Sequence, residues 1–286
     1  MNIISGASGQ VGSHIVKALI NSGSPVRAIV RDQNTVFDSK TEVRTADLFN
    51  PAQLTDAMEG GTTAFLLTPE DPTSHDLIGD TKRIIDSYRQ AIRSNGISKI
   101  VGLSCVGAHI EENTGNILMS RMLEHGFDDL DIDKIFIRPS YYFSNWLGFR
   151  ETIEQYGILP TFFPESLQID MNSPVDIAQF IAKAMTTQYQ SKDKKIFELV
   201  GPQKYSSRHV AETFSKLLNK NTEVQSIPRE EWNETLATAG FTQNTSANLM
   251  EMTQAVIDNV VTPEHHEKTV KLSTTLEQYL KERLNK

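Results

Sequence analysis

Apolar positions along this chain follow two alternating patterns. Short β-branched runs are apolar at successive positions, at 2–5, 26–30 (VRAIV), 42–45, 63–67 (TAFLL), 98–103 (SKIVGL) and 134–138 (KIFIR). Between them, stretches near 10–22, 51–59, 75–95 and 116–125 repeat apolar residues at helical spacing, as in Val11, Ile15, Leu19 and Ile20. Continuous rather than alternating apolar strands are expected where both faces of a sheet are covered. Strand–helix alternation predicts right-handed βαβ units and a parallel sheet. Helix starts are expected at Asn50-Pro51 and Ser173-Pro174, each an N-cap followed by proline at the first helical position. Asn95-Gly96 and Ser22-Gly23 read as stops.

Beyond residue 140 the regularity loosens. Residues 157–172 (GILPTFFPESLQIDMN) predict a loop or a short hairpin. Helices are expected near 174–187, 207–219, 229–238, 243–258 and 273–284, with strands at 195–200 and 223–227. The fold class is α/β: a Rossmann-type doubly wound parallel sheet with a small C-terminal α+β lobe. Residues 1–140 form the expected dinucleotide-binding core, and 141–286 complete the sheet and build the substrate lobe.

Composition narrows the setting. The chain has 286 residues, 38% hydrophobic and 22% charged, enough for a sizeable core. A net charge of -8, with Lys and Arg scattered, argues against a nucleic-acid partner. A single cysteine, Cys105, excludes an internal disulfide framework and fits a reducing cytoplasm. No run approaches the roughly 20 apolar residues of a membrane span, and the N-terminal apolar stretch stops at Ser5-Gly6, unlike a signal peptide.

The first strand runs into Gly6-Ala7-Ser8-Gly9-Gln10-Val11-Gly12. In a dinucleotide site Gly6 allows the sharp exit from the strand, Gly9 lets the backbone approach the pyrophosphate, and Gly12 lets the helix pack closely. The anion then rests on the helix N-terminus, where free N–H groups and the dipole favour negative charge. The second strand ends Ile29-Val30-Arg31-Asp32; an arginine there suits a 2′-phosphate and an acid suits a bare ribose. Arg31 comes first, which favours NADP(H) over NAD(H), the bland alternative being a solvated Arg31–Asp32 pair. Asp47-Leu48 after the third strand and Leu67-Thr68-Pro69 after the fourth fall where adenine, pyrophosphate and nicotinamide ribose would lie.

The chain resembles the NmrA-like family of atypical short-chain dehydrogenases. The resemblance rests on GASGQVG, VRAIVRD, ADLFNPAQLTDAMEGGTTAFLLTP, IRPSYYFSNW, MNSPVDIAQFIAKAM and FELVGPQKYSSRHVAETFSKLL. It implies a Rossmann sheet with a small lobe and a substrate cleft between them. Members include NADPH-dependent quinone and dye reductases, and others that bind the nucleotide without turnover as redox-sensing regulators.

One part of short-chain reductase chemistry is missing. Those enzymes commonly use Tyr-x-x-x-Lys, the tyrosine as general acid and the lysine lowering its pKa. None of the seven tyrosines here has a lysine four residues on, and no lysine lies between Lys99 and Lys134. An ordinary carbonyl reductase, and a sugar-nucleotide epimerase that would want the same tyrosine, are disfavoured. A quinone remains open: hydride addition gives a phenolate-like product with a pKa near about 10, which can take its proton from water.

Further candidates cluster at expected strand ends. Ser104 could donate to substrate or cofactor, or satisfy its own loop; Cys105 could bind beside it, or act as a redox sensor if its thiolate were stabilised. Tyr141, Tyr142, Phe143, Asn145 and Trp146 could stack on and orient a flat acceptor, with Tyr142 and Asn145 favoured for the pocket and the rest shared with the core. Phe162, Phe163 and Pro164 read equally as a lid or as core. His265-His266 point apart and have no partners of metal-ligand type, so no metal is expected. Asp128-Asp129-Leu130-Asp131 reads as a solvated loop. The reading is an NADP(H)-dependent reductase of a small planar acceptor, most plausibly a quinone. The alternative is a non-catalytic nucleotide sensor. Self-association is compatible with either.

Overall fold

A computed structural model describes residues 1–32, 34–189 and 193–284. The strands are β1 (Asn2–Ile4), β2 (Val26–Val30), β3 (Thr41–Thr45), β4 (Thr63–Leu66), β5 (Lys99–Leu103), β6 (Asp133–Pro139), β7 (Tyr141–Tyr142), β8 (Ile158–Thr161), β9 (Ile169–Asn172), β10 (Lys195–Val200), β11 (Lys204–Tyr205), β12 (Glu223–Ser226) and β13 (Val270–Lys271). The helices are α1 (Gly12–Asn21), α2 (Pro51–Ala57), α3 (Leu77–Asn95), α4 (Ile117–His125), α5 (Arg150–Tyr156), α6 (Pro174–Thr186), α7 (Ser207–Leu218), α8 (Trp232–Thr238), α9 (Gln243–Ile257) and α10 (Leu276–Leu284).

Eight strands form one parallel sheet in the order β13-β10-β6-β5-β4-β1-β2-β3. Helices cover both faces, which is why β2 and β4 are buried at every position. One face is closed by Ile15 and Leu19 of α1 against Ile177 and Ile181 of α6. The other is closed by Leu54 of α2, Ile84 and Tyr88 of α3 and Leu123 of α4. The chain leaves β1 toward β2 and later crosses back to β4. The carboxyl ends of β1 and β4 therefore flank the switch point of the sheet, where open α/β sheets place their ligand crevices.

The predicted caps are present. Asn50 accepts from the Gln53 amide, Ser173 from the Val175 amide, and Gly96 ends α3 in the left-handed region at φ +62. One cap was not visible in the sequence. Lys99 donates its ammonium to the carbonyls of Ala184 (2.7 Å), Met185 (2.9 Å) and Thr187 (2.6 Å), satisfying the orphan acceptors at the end of α6. Burial pulls its pKa down.

One expectation needs correction. Residues 157–172 form no hairpin: β8 pairs in parallel with β12, β9 pairs with β7 and β11, and an irregular stretch at 162–168 joins them. Leu159 and Thr161 of β8 face inward while Pro160, which has no N–H to donate, is tolerated on an edge strand. The acidic run near Asp128 is the exposed turn expected, tied down by ion pairs. Asp129 receives both ends of Arg89 (2.6 and 2.8 Å) and one of Arg93, and Asp128 meets His125 and Lys194. The Asp129 carboxyl is held down to about 2, chiefly by Arg89.

Residues of the second half also build a third apolar cluster, with Phe143, Trp146, Leu159, Phe214 and Leu280 at its centre. Among the described residues, no helix is long and apolar enough to cross a membrane.

Candidate functional site

The turn after β1 is built from close backbone contacts. Gly6 adopts φ +60, and a Cβ there would stand 2.7 Å from Leu67 Cδ2. At Gly12 a Cβ would fall 2.3 Å from the Gly6 carbonyl oxygen and 2.9 Å from Ala7 Cα. At Gly9 it would meet only the Gly6 oxygen, at 3.2 Å, and otherwise open space. The Ala7 amide anchors the turn to the Ile29 carbonyl of β2. Ser8, Gly9 and Gln10 are exposed, and no side chain caps the start of α1. Among the described residues the amides of Ser8, Gln10 and Val11 make no backbone hydrogen bond. This cradle fits an anionic diphosphate: it is wide only where a ligand would lie, and its donors are unused.

Around it stand the other strand-end residues. Arg31 and Asp32 are exposed past β2. Asp32 accepts from the Asn34 amide and side chain, both at 2.9 Å, and no ion pair among the described residues joins it to Arg31. Both side chains are exposed, as the bland alternative of a solvated Arg31–Asp32 pair also requires. Asp47 is exposed and accepts from the Phe49 amide, while Leu48 packs into the core under α2 and α3. Leu67 braces Gly6 and takes the Tyr88 hydroxyl on its carbonyl; Thr68 is half-buried and Pro69 exposed.

Ser104 and Cys105 do not offer the chemistry first considered for them. The Ser104 hydroxyl donates to Glu124 at 2.5 Å and is 4% exposed, so its proton is not free for substrate. Glu124 also receives Arg138 twice, from Nε and Nη2, each at 2.8 Å. Arg138 reaches Glu264 (2.6 Å) and Glu198 (3.5 Å), and Glu198 accepts from the amides of Glu264 and His265. Cys105 sits above this buried network. Burial pushes its thiol up to about 12, with Glu70 and Glu124 adding to the rise, which works against a stabilised thiolate.

The aromatic segment after β6 divides. Tyr142 is half-buried on the cleft side, near enough to Cys105 and Glu70 that all three influence one another. Burial raises its phenol well above the usual tyrosine range. Tyr141 meets Trp146 at a tilt and Phe163 edge-on, and bonds Asn145; burial pushes its phenol up to about 12. Asn145 is exposed. Phe143 is not a cleft residue: it is fully buried against Tyr205 and Tyr279 in the lobe core. Phe163 belongs to that core as well, and Phe162 packs on Trp232 at 5.0 Å, so neither lies free as a lid.

Two residues of the cleft were not anticipated. Asn116, at the start of α4, donates from Nδ2 to Glu70 Oε2 at 2.9 Å. Asn116 is 7% exposed and its Oδ1 has no partner among the described residues. Glu70 as a residue is solvent-exposed, yet its carboxyl is crowded on the cleft side, and desolvation raises its pKa above the usual carboxylate range despite the Asn116 bond.

With this geometry, comparison with known proteins is decisive for family. The model of the NmrA-like family matches residues 3–280. The chain belongs to the NmrA-like family. Among curated proteins, an NAD(P)H azoreductase of Xenophilus azovorans is 22% identical over 88% of this chain and 86% of its own. Among solved structures, a nucleoside-diphosphate-sugar epimerase from Staphylococcus aureus superposes with TM-score 0.79 at 18% identity, covering 98% of this chain and 99% of that one. An NADPH-dependent quinone oxidoreductase of Escherichia coli, solved with NADPH, superposes at 0.73 and 19% identity over the full length of both. At these identities the structural likenesses establish a shared Rossmann-type fold. This NmrA-like chain has the family's parallel sheet with its glycine turn at the switch point.

Proposed function

We propose that this NmrA-like protein is an NADPH-dependent reductase of a small planar acceptor, most plausibly a quinone. The observation that carries the reading is the cradle at Gly6–Gly12, with unused amides and an uncapped helix, at the carboxyl edge of the sheet where Glu70 and Tyr142 also follow their strands. The azoreductase relative and the quinone oxidoreductase fold neighbour support it. Ser8, Gln10 and Val11 hold the pyrophosphate through backbone N–H groups. Arg31 stands where a 2′-phosphate would lie, and Leu67, Thr68 and Pro69 flank the adjoining ribose. Tyr142 supplies a flat, neutral surface for the acceptor. Bound NADPH supplies the hydride; the protein's part is to place the acceptor and exclude water, which can provide most of the rate for a product as weakly basic as a phenolate.

The test is a fluorescence titration of the protein with NADPH and NADH, followed by benzoquinone in the same cuvette. Tight NADPH binding and rapid oxidation are expected. Binding that stays silent across a panel of quinones and azo dyes would replace the reductase by a nucleotide sensor. Arg31→Ala should weaken NADPH roughly ten- to a hundredfold, since hydrogen bonds to a charged group contribute about 1.5–3 kcal/mol, and leave NADH within about twofold. Equal losses for both nucleotides would remove Arg31 from the 2′-phosphate site.

A further inference from the structure

We infer that Glu70, held by Asn116, is the proton donor to the reduced acceptor, taking the place of the absent Tyr-x-x-x-Lys acid. The inference rests on the reductase reading and assigns the proton that reading leaves to solvent. Three observations meet at this carboxyl. It follows β4 at the carboxyl edge of the sheet, and β4 lies beside β1, whose end carries the glycine turn. It lies close enough to Tyr142 and Cys105 to act on both electrostatically. Its partner Asn116 is buried and has an unused acceptor atom, Oδ1.

The amide explains how one partner serves both protonation states. Nδ2 donates to Oε2 at 2.9 Å whether or not the carboxyl is protonated, which leaves the other oxygen, Oε1, to carry the proton. The groups facing Glu70 are neutral in the working range: Asn116 from the start of α4, the Cys105 thiol after β5 and the Tyr142 phenol after β6. Asp71 beside it is held down first by the Thr73 hydroxyl and amide, with Arg31 adding to the effect. Below Cys105, Arg138 is matched by Glu124. No cation among the described residues is bonded to Glu70, so burial dominates and keeps the carboxyl protonated to higher pH. The other candidates are poorer acids. Ser104 has committed its proton to Glu124, and burial drives both the Cys105 thiol and the Tyr142 phenol upward.

The step balances. The acceptor gains a hydride, and with it two electrons, from the reduced nicotinamide, which is thereby oxidised. The Glu70 O–H bond breaks as an O–H or N–H bond forms on the acceptor. The carboxylate left behind keeps its bond from Asn116 Nδ2 and regains a proton from water on its exposed side. A general acid matters more as the product anion becomes more basic. Loss of Glu70 should therefore cost little with a quinone and much more with an azo nitrogen.

Glu70→Gln tests this in two ways. In the nucleotide-free protein, thermal unfolding of wild type and Glu70→Gln is compared across pH 4 to 8. The folded-state pKa is raised, so the stability from a neutral carboxyl is complete below the unfolded value of 4.5 and is lost as pH rises through the folded one. Wild type should lose ground to the variant over that window. With NADPH, the variant should bind as wild type does, lose about tenfold in kcat with benzoquinone and about 10²-fold or more with an azo dye, and lack the wild-type fall in kcat at high pH. An active wild type whose Glu70→Gln variant is equally fast with both acceptors, or a stability difference that is flat with pH, overturns the role of Glu70. A wild type that binds NADPH and reduces neither acceptor overturns the reductase reading itself.

Discussion

Gly12→Ala is expected to destabilise the protein by about 1–3 kcal/mol and to abolish measurable dinucleotide binding, whereas Gly9→Ala weakens binding alone. The added methyl at Gly12 would stand 2.3 Å from the Gly6 oxygen and 2.9 Å from Ala7 Cα and the Gly6 carbonyl carbon. All three are backbone atoms, so no flexible side chain can yield; the turn must move away from α1, and small-to-large changes in tight packing cost about this much. The turn is also tied by Ala7 to β2 and by Ser5 to β4, so the displacement strains the switch point and disperses the donors that face the anion. At Gly9 the nearest atom is 3.2 Å away and the rest is open, so the fold absorbs a methyl. What the methyl occupies is the side from which a pyrophosphate must approach. Urea unfolding and NADPH fluorescence titration on both variants separate the two effects. A Gly12→Ala protein as stable as wild type would contradict the packing role, and Gly9→Ala with unaltered affinity would move the pyrophosphate elsewhere.

Why the glycine turn was legible in the sequence, and Glu70 was not, has a physical answer. A glycine motif between an apolar strand and an amphipathic helix encodes a backbone path, and backbone paths leave fixed spacings. The six strands from β1 to β6 and the helices between them were readable for the same reason, since each must bury a continuous or periodic face. Two-residue strands such as β7, β11 and β13 have no period to detect; their partners alone define them. Helix α5, RETIEQY, buries only Ile153, too little for a pattern. Phe143 and Tyr142 are adjacent aromatics whose difference lies wholly in which way the chain turns after β6. Glu70 sits in TPEDPT, a string of turn formers in which one more acid carries no mark; its character comes from Asn116, 46 residues away.

The buried charges did leave a signal of another kind. KIFIRP and KIFELV each carry a charge inside an otherwise apolar strand, and the two align in the sheet with Arg138 opposite Glu198. Strands covered on both faces hold such residues only if they are paired. Opposite signs at matching offsets in two such strands therefore point to neighbouring strands and a shared network. That network joins β6, β10 and α4 to the segment after α9, and it also consumes the Ser104 proton. The loss of Ser104 as a donor and the reliance on Glu70 thus have one origin.

Arg138→Met should be more destabilising than Gly12→Ala, at about 3–5 kcal/mol near neutral pH. Arg138 is 2% exposed and its main partner Glu124 1% exposed, so removing the guanidinium leaves Glu124 and Glu198 as buried carboxylates without a counterion. Burial pulls the Arg138 pKa down, but Glu124 and Glu264 outweigh it and the value ends raised; its positive charge is secure at any pH the fold survives. The Arg138 bond, working against desolvation, lowers the Glu264 pKa below the ordinary 4.5. A lowered folded-state pKa gives stability that is present above the unfolded value and is lost as pH falls through the folded one. Wild type therefore loses this contribution in acid, while the variant, which lacks the Arg138–Glu264 bond, has none to lose. The gap between the two should be widest near pH 7 and narrow below about pH 4.5, as read by urea unfolding at each pH. Arg138→Met with Glu124→Leu should recover part of the loss, because Glu124 no longer strands a charge while Glu198 still lacks its guanidinium. A single variant as stable as wild type, or a gap independent of pH, would mean that the network contributes nothing to holding the carboxyl edge where the cleft is built.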